Sequence, residues 1–417
     1  MWFRIPNQIY FNMNAVENLA QFPSRCTIVV TNKALEQMGH VEVVRRSLPP
    51  QTHIHVLTIP DAEPELKVAM RGVETLGFYK ADQIIALGGG SVIDAAKIMK
   101  LKYESPDADF EQLGAPFLDI RKRVVRYPTE KVNHARLIAI PTTSGTGSEV
   151  TPFAVLIDKD LGRKITLADP SLSPDVAIVD PQFVMSMPRG LTADTGIDCL
   201  THALEAGVSV YASPFTDSNA MQAIRLVFKY LPIACARPRD VEARSMMHNA
   251  ACIAALAFSN ASVGVNHALA HAFGARFGVP HGRANALMLP HVIAYNAAVP
   301  SKFMPSPHQR AYTAHKKYAT VADLLGLGGD TVEQKVENLV AATERLLDQV
   351  GMPRSIAELG IPKEDFERAI PDLVRIAFDD PSWRPTNPRM PLMDELAGLF
   401  WAAYHGRAAQ AKAAGQA

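Results

Sequence analysis

Five side chains between residues 198 and 281 of this 417-residue sequence are of types that bind metals. In GIDCLTHALEAGVS, Asp198 and His202 are four apart, and in VNHALAHAFG, His267 and His271 are four apart. Residues at that spacing share one face of a helix, so each pair can reach one point. His281 follows at a Pro-His-Gly turn in GVPHGRAN, where a loop can aim an imidazole back toward the preceding helix. Three imidazoles and one carboxylate would make a four-ligand site for a divalent ion of intermediate softness. A single pair is usually no more than surface or capping polarity. Two pairs and a turn histidine within one helical stretch favour a site. Spacing leaves open which four of the five bind, and nitrogen and oxygen ligands suit Fe²⁺ and Zn²⁺ alike.

Two further segments read as a phosphate cradle. Gly88, Gly89, Gly90 and Ser91 follow the apolar run DQIIAL and open the helical pattern VIDAAKIMK, so backbone N–H groups and the positive end of a helix converge. That suits a pyrophosphate, although the spacing departs from G-x-G-x-x-G. Asp94, in the first turn, either meets the ligand or complements the helix dipole. At the end of another strand, PTTSGTGSE (141–149) crowds small hydroxyls and glycines. Ligands of open α/β sheets bind outside the carboxyl ends of strands, which would bring this loop and the GGGS turn to one crevice. Neither segment contains G-x-S-x-G, so a hydrolase nucleophile elbow lacks support. Arg121, Lys122, Arg123 and Arg126 read as a solvated basic face.

The elements that must position these residues follow from periodicity. β-branched runs at 26–31, 53–59, 82–90, 136–143 and 175–181 alternate with helical patterns at 34–37, 66–77 and 92–100, a βαβ order that implies a mainly parallel sheet covered by helices. Residues 154–168 read as a hairpin turning near 160–162. After Pro181 the sequence becomes Ala/Leu/Met-rich with helical period, as in 217–231 and 241–261. The expected organisation is an α/β dinucleotide-binding domain over 1–184 and an all-helical metal-binding domain over 185–417. The four prolines of 381–391 make that segment a loop, and 408–417 reads as a frayed tail.

Composition sets the outer bounds. Lys+Arg and Asp+Glu both total 42, so no net field attracts nucleic acid or an anionic membrane. Cys26, Cys199, Cys235 and Cys252 form no C-x-x-C pair and read as free thiols. The first residues lack a secretory pattern, and no apolar run reaches the roughly 18 residues of a membrane span. A cytoplasmic protein is expected.

GGGSVIDAAK, PTTSGTGSEVTPFAV, GIDCLTHALEAGVS and NHALAHAFG followed by GVPHG, in this order, resemble the signature segments of the iron-dependent (group III) alcohol dehydrogenases. FLDIRKR (117–123), LADPSLSPDVAIVDP (167–181), FDDPSWRPTNPRMPLMDEL (378–396) and YHGR (404–407) are similar to the alcohol dehydrogenase half of bifunctional aldehyde-alcohol dehydrogenases. The aldehyde dehydrogenase half would precede Met1. The resemblance implies a dehydroquinate synthase-like pair of domains with the active site in the cleft between them, and a homodimer or larger homo-oligomer. It assigns Asp198, His202, His267 and His281 to the metal and leaves His271 unligated near the nicotinamide as an acid–base group. It gives the pyrophosphate to Gly88, Gly89, Gly90, Ser91 and Asp94, and further cofactor contacts to Thr142, Thr143, Thr146 and Lys164.

The implied activity is hydride transfer between NAD(P)(H) and a short primary alcohol or its aldehyde, with Fe²⁺ as the metal and Zn²⁺ as the alternative. Where the family often has Asp after the strand ending near residue 31, this sequence has Asn32. An amide still bonds a ribose 2′-hydroxyl but does not repel a 2′-phosphate, so NADP(H) is expected to be accepted beside NAD(H). Val150 to Ala154 would place Phe153 beside the nicotinamide, which favours small apolar substrates. Two other readings share these motifs: an NAD- and metal-dependent lyase of related fold, which needs a Lys/Arg clamp for a polyanion, and a non-catalytic scaffold or filament subunit, which needs no glycine-rich turns.

Overall fold

The computed structural model describes residues 3–60, 64–110, 113, 131–158, 163–301, 303, 305 and 309–407, without the side chains of 158 and 163–165. The basic cluster 121–126, the hairpin turn at 160–162 and the tail 408–417 lie outside the described residues. The chain forms two compact units, Met1–Met187 with Arg244–Ser259, and Pro188–Ala243 with Asn260–Ala417. Sequence placed the domain boundary at 184/185; the first unit runs to Met187 and takes in sixteen helical residues, 244–259, that sequence had counted with the second half.

Among the described residues the first unit is built on eight strands: β1 (Gln8–Phe11), β2 (Cys26–Asn32), β3 (His53–Ile59), β4 (Gln83–Gly88), β5 (Arg136–Pro141), β6 (Phe153–Asp158), β7 (Arg163–Ala168) and β8 (Val176–Val179). Six pair in parallel in the order β1-β8-β5-β4-β2-β3, and β6 and β7 form an antiparallel hairpin. Four helices, α1 (Lys33–Gln37), α2 (His40–Ser47), α3 (Leu66–Tyr79) and α4 (Gly90–Glu104), connect the first strands. The central strands β2 and β4 are buried along their whole length, which is why they read as continuous apolar runs. Alternate residues feed two cores on opposite faces: Ile28, Val30, Ile84 and Ala86 join one, while Val29, Ile85 and Leu87 join the other.

The second unit is helical: α5 (Arg189–Val208), α6 (Pro214–Ala236), the ends of α7 (Val241–Ala261), α8 (Val265–Phe277), α9 (His281–Ala297), α10 (Ala314–Leu324), α11 (Val332–Val350), α12 (Lys363–Asp379) and α13 (Met393–His405). Ser213 and Thr216 form a capping box that starts α6, with Pro214 at its first position, and Gly351 ends α11 in the left-handed conformation. Phe273, Phe366, Trp383 and Phe400 share its core. Among the described residues no single helix is long and apolar enough to cross a membrane.

One glycine is required twice over. Gly147, in the loop after β5, has φ +62°, and a Cβ there would lie 2.0 Å from Ala255 Cβ on α7. This contact seats the loop against the helix within the first unit. Gly147→Ala combines backbone strain with overpacking, and is expected to lower unfolding stability by about 1–3 kcal/mol in urea titrations. An unchanged midpoint would contradict that packing.

Candidate metal and dinucleotide sites

Three helices of the second unit bring four of the five candidate ligands together. Asp198 and His202 lie one turn apart on α5, His267 is in the first turn of α8, and His281 is the first residue of α9. From Asp198 Oδ1 the Nε2 atoms stand at 3.3 Å (His281), 3.6 Å (His267) and 3.9 Å (His202). Single donor atoms of Asp198, His267 and His281 all fall within 4.8 Å of one another, and the His202 ring stacks on that of His267 with centroids 4.6 Å apart. Donors about 2.0–2.2 Å from a tetrahedral ion are separated by about 3.4 Å, so spacing and chemistry both fit a divalent metal. Close approach of backbones makes this possible. A Cβ on Gly282 would sit 1.9 Å from the Asp194 carbonyl oxygen, so only glycine lets α9 begin there, and Arg283 locks the contact with two 3.2 Å bonds to the Asp194 carboxylate.

The cluster is held from behind by residues that sequence reading had not singled out. His267 Nδ1 donates to Glu205 Oε2 at 2.5 Å, and Glu205 Oε1 accepts from Asn266 N at 2.7 Å. A carboxylate on the far nitrogen fixes the ring so that Nε2 faces the other donors. Burial pulls the His267 pKa down, but Glu205 and Asp198 outweigh it and hold the ring at about 9. Burial pulls the Asp198 pKa up, yet His202 and His281 keep it well below the usual carboxylate range. Asn285 Nδ2 donates to Asp198 Oδ1 at 2.9 Å. His271 stands apart from the donors: its Nδ1 donates to Asp380 Oδ2 at 2.8 Å, and its ring stacks over His281 at 5.1 Å. Glu205 and Asn285 left a faint signal, three residues after His202 and four after His281, on the same faces. Asp380 lies within the segment 378–396 but no spacing links it to His271, since the two are 109 residues apart.

In the first unit the glycine turn and the hydroxyl loop meet. Thr142 N donates to Gly88 O at 3.0 Å, a Cβ on Gly90 would lie 3.0 Å from Thr146 Cγ2, and one on Gly89 would lie 3.3 Å from Thr143 Cγ2. Gly90 and Ser91 open the 15-residue α4, whose N-terminus no side chain caps. Thr143 Oγ1 is buried without a hydrogen-bond partner among the described residues. Bare backbone, a helix N-terminus and an orphaned hydroxyl fit a bound pyrophosphate. Asn32 ends β2, next to β4, and its Oδ1 caps α1 by accepting from Leu35 N at 2.9 Å. Lys164 lies on β7, and its side chain is outside the described residues.

Asp94 turns toward the loop. Its Oδ1 accepts from Ser148 Oγ at 2.5 Å and its Oδ2 from Val155 N at 3.0 Å. One turn on, the fully buried Lys97 donates to Ser148 Oγ at 2.8 Å, Thr151 Oγ1 at 3.1 Å and Phe153 O at 2.6 Å. Helix α4 thus carries the glycine turn at its start and staples the 148–155 segment with its second turn. Sequence reading missed Lys97 because an isolated lysine in a helical pattern reads as a surface charge. It also missed Ser144 and His248, hydrogen-bonded at 3.1 Å where α7 lies on the loop.

Residues 6–181 match the iron-containing alcohol dehydrogenase family, and residues 192–404 match the C-terminal part of the Fe-containing alcohol dehydrogenase family. The chain belongs to this family. It is 42% identical over 410 residues to aldehyde-alcohol dehydrogenase 2 of Entamoeba histolytica, covering 97% of this chain and 46% of that protein. The chain thus spans about half the length of the bifunctional relatives it matches. It is 36% identical to the NADPH-dependent butanol dehydrogenase of Clostridium saccharobutylicum, covering 97% of this chain and 98% of that one. The structure of an iron-containing alcohol dehydrogenase from Thermococcus thioreducens superposes with a TM-score of 0.84 at 30% identity, over 97% of this chain and all of that one.

The stapled loop also carries a titration signature. Burial pushes the Glu149 carboxyl up to about 7, against the opposing pull of its own backbone N–H, Lys97 and Cys252. Between about pH 4.5 and 7 the folded state therefore holds a proton that the unfolded state has lost, and stability falls as pH rises through that window. Glu149→Gln is expected to remove this component, up to about 1.4 kcal/mol per pH unit, from unfolding curves measured across it. Parallel pH profiles for the two proteins would contradict the assignment.

Proposed function

We propose that the protein is a metal-dependent alcohol dehydrogenase and aldehyde reductase that moves a hydride between NAD(P)(H) and a short primary alcohol or its aldehyde. The observation that carries this reading is the convergence of the Asp198, His267 and His281 donors, with His202 Nε2 3.9 Å from the Asp198 carboxylate. Those four residues would hold Fe²⁺, or Zn²⁺ in its place. Gly88 to Ser91 would bind the pyrophosphate through backbone N–H groups, with Thr142, Thr143, Thr146 and Lys164 as further cofactor contacts and Asn32 at the adenosine ribose. When bound, the divalent metal supplies Lewis acidity to an alcohol or carbonyl oxygen. His271 accepts the hydroxyl proton during oxidation and returns it during reduction. Phe153, stacked on Phe258 at 6.4 Å, supports a small apolar substrate. The buried cysteines, none of them in a disulfide, suit a reducing cytoplasm, and a homo-oligomer belongs to the same reading.

Purified protein loaded with Fe²⁺ or Zn²⁺ is expected to oxidise ethanol to butanol in preference to glycerol or 1,2-diols. A clear preference for glycerol over 1-propanol overturns the substrate assignment. His202→Ala is expected to lose most of its metal and turnover by elemental analysis and steady-state rates; full retention of both refutes the ligand set. His271→Ala should keep its metal while turnover falls about 10²–10⁴-fold. Asn32→Asp keeps a capping side chain and adds repulsion toward a 2′-phosphate, so the ratio of NAD to NADP rates should rise. An equal ratio in both proteins removes Asn32 from the ribose.

A further inference from the structure

We propose that Asp380 is a positioning residue for proton transfer: it pins His271 in the Nδ1–H tautomer and leaves Nε2 to take the substrate's hydroxyl proton. This rests on the acid–base reading of His271 given above. His271 lies one turn after His267 on α8, with its ring over that of His281 and edge-on to that of His267 at 6.0 Å. It therefore borders the donor cluster without entering it. Because a carboxylate only accepts, the 2.8 Å contact to Asp380 Oδ2 puts the hydrogen on Nδ1. Among the described residues Nε2 makes no hydrogen bond, and 37% of the side chain is exposed, so that nitrogen is open to a small molecule.

The carboxylate is itself held still. Asp380 Oδ1 accepts from Ser382 N at 2.8 Å and Ser382 Oγ at 2.5 Å, and its side chain is 15% exposed. The loop is anchored by the fully buried Trp383, whose Nε1 donates to Ala377 O at 2.8 Å. Helix stability does not explain a carboxylate here. Asp380 is the C-cap of α12 and follows Asp379, at the end where the helix dipole disfavours negative charge. Facing His271 gives that charge a use. A carboxylate behind an imidazole fixes which nitrogen can accept and stabilises the imidazolium once it forms. During oxidation the hydride and its electron pair pass from the alcohol carbon to the nicotinamide, the hydroxyl proton passes to Nε2, the Nδ1 hydrogen stays in place, and the products are the aldehyde and the reduced nucleotide.

The test compares Asp380→Asn and Asp380→Glu with wild type and His271→Ala, all as the 417-residue chain loaded with diamagnetic Zn²⁺. Imidazole ¹H–¹⁵N correlation spectra report the tautomer, and metal content, the NADH dissociation constant and 1-propanol oxidation are measured in parallel. In wild type the His271 Nδ1–H tautomer is expected. In Asp380→Asn it is expected to lose its dominance while kcat falls about 10²-fold, with metal content and NADH affinity unchanged. Asp380→Glu should recover part of both. A wild-type tautomer in Asp380→Asn, or loss of metal in proportion to turnover, overturns the proposal. Wild-type turnover in His271→Ala overturns the relay on which it rests. With His271→Ala impaired, wild-type turnover in Asp380→Asn removes Asp380 alone.

Discussion

Burying one carboxylate among imidazoles is the constraint around which the second unit is arranged. Asp198 is 3% exposed, and an isolated charge at such a depth is unfavourable unless other groups neutralise or bond it. Here Asn285 donates to it, His202, His267 and His281 surround it, and Glu205 turns His267 toward it. None of these groups is adjacent in sequence to all the others. They meet because α5, α8 and α9 start and stop where they do, and because Gly282 removes the side chain that would hold α9 away from α5.

The first unit meets a different constraint, that of shaping the bare backbone proposed to bind the pyrophosphate. Glycines expose N–H groups but specify shape poorly, so the shape is imposed by neighbours. Lys97 and Asp94 provide it, tying Ser148, Thr151, Phe153 and Val155 to the helix that the glycine turn opens. On the other side of the loop, α7 supplies Ala255 against Gly147 and His248 to Ser144. Every donor on Lys97 is used, and this is how a lysine tolerates full burial, with its pKa drawn down to about 8 by desolvation against the pull of Asp94 and Glu149.

The two units thus place charge in opposite ways. In the second, ionisable groups converge on the point where chemistry is proposed. In the first, Lys97 and Asp94 lie behind the backbone proposed to meet the pyrophosphate and act on its shape. His271 and Asp380 combine both roles, since one ring nitrogen is bonded inward and the other is left open.

Local periodicity alone determined much of this protein. The buried runs of β2 and β4, the alternation of strand and helix, the i,i+4 pairing of Asp198 with His202 and the loop character of 381–391 are properties of short windows, and backbone geometry translates them directly. The four-residue β1 escaped notice because QIYF is an edge strand, too short and too exposed to alternate clearly. Tertiary structure decided the strand order, the membership of 244–259 in the first unit, and the partners Glu205, Lys97 and Asp380. Those depend on contacts between residues tens to more than a hundred positions apart. A helix pattern shows which face is apolar, but it carries no record of which distant carboxylate that face will meet, because that is settled only when the whole core packs.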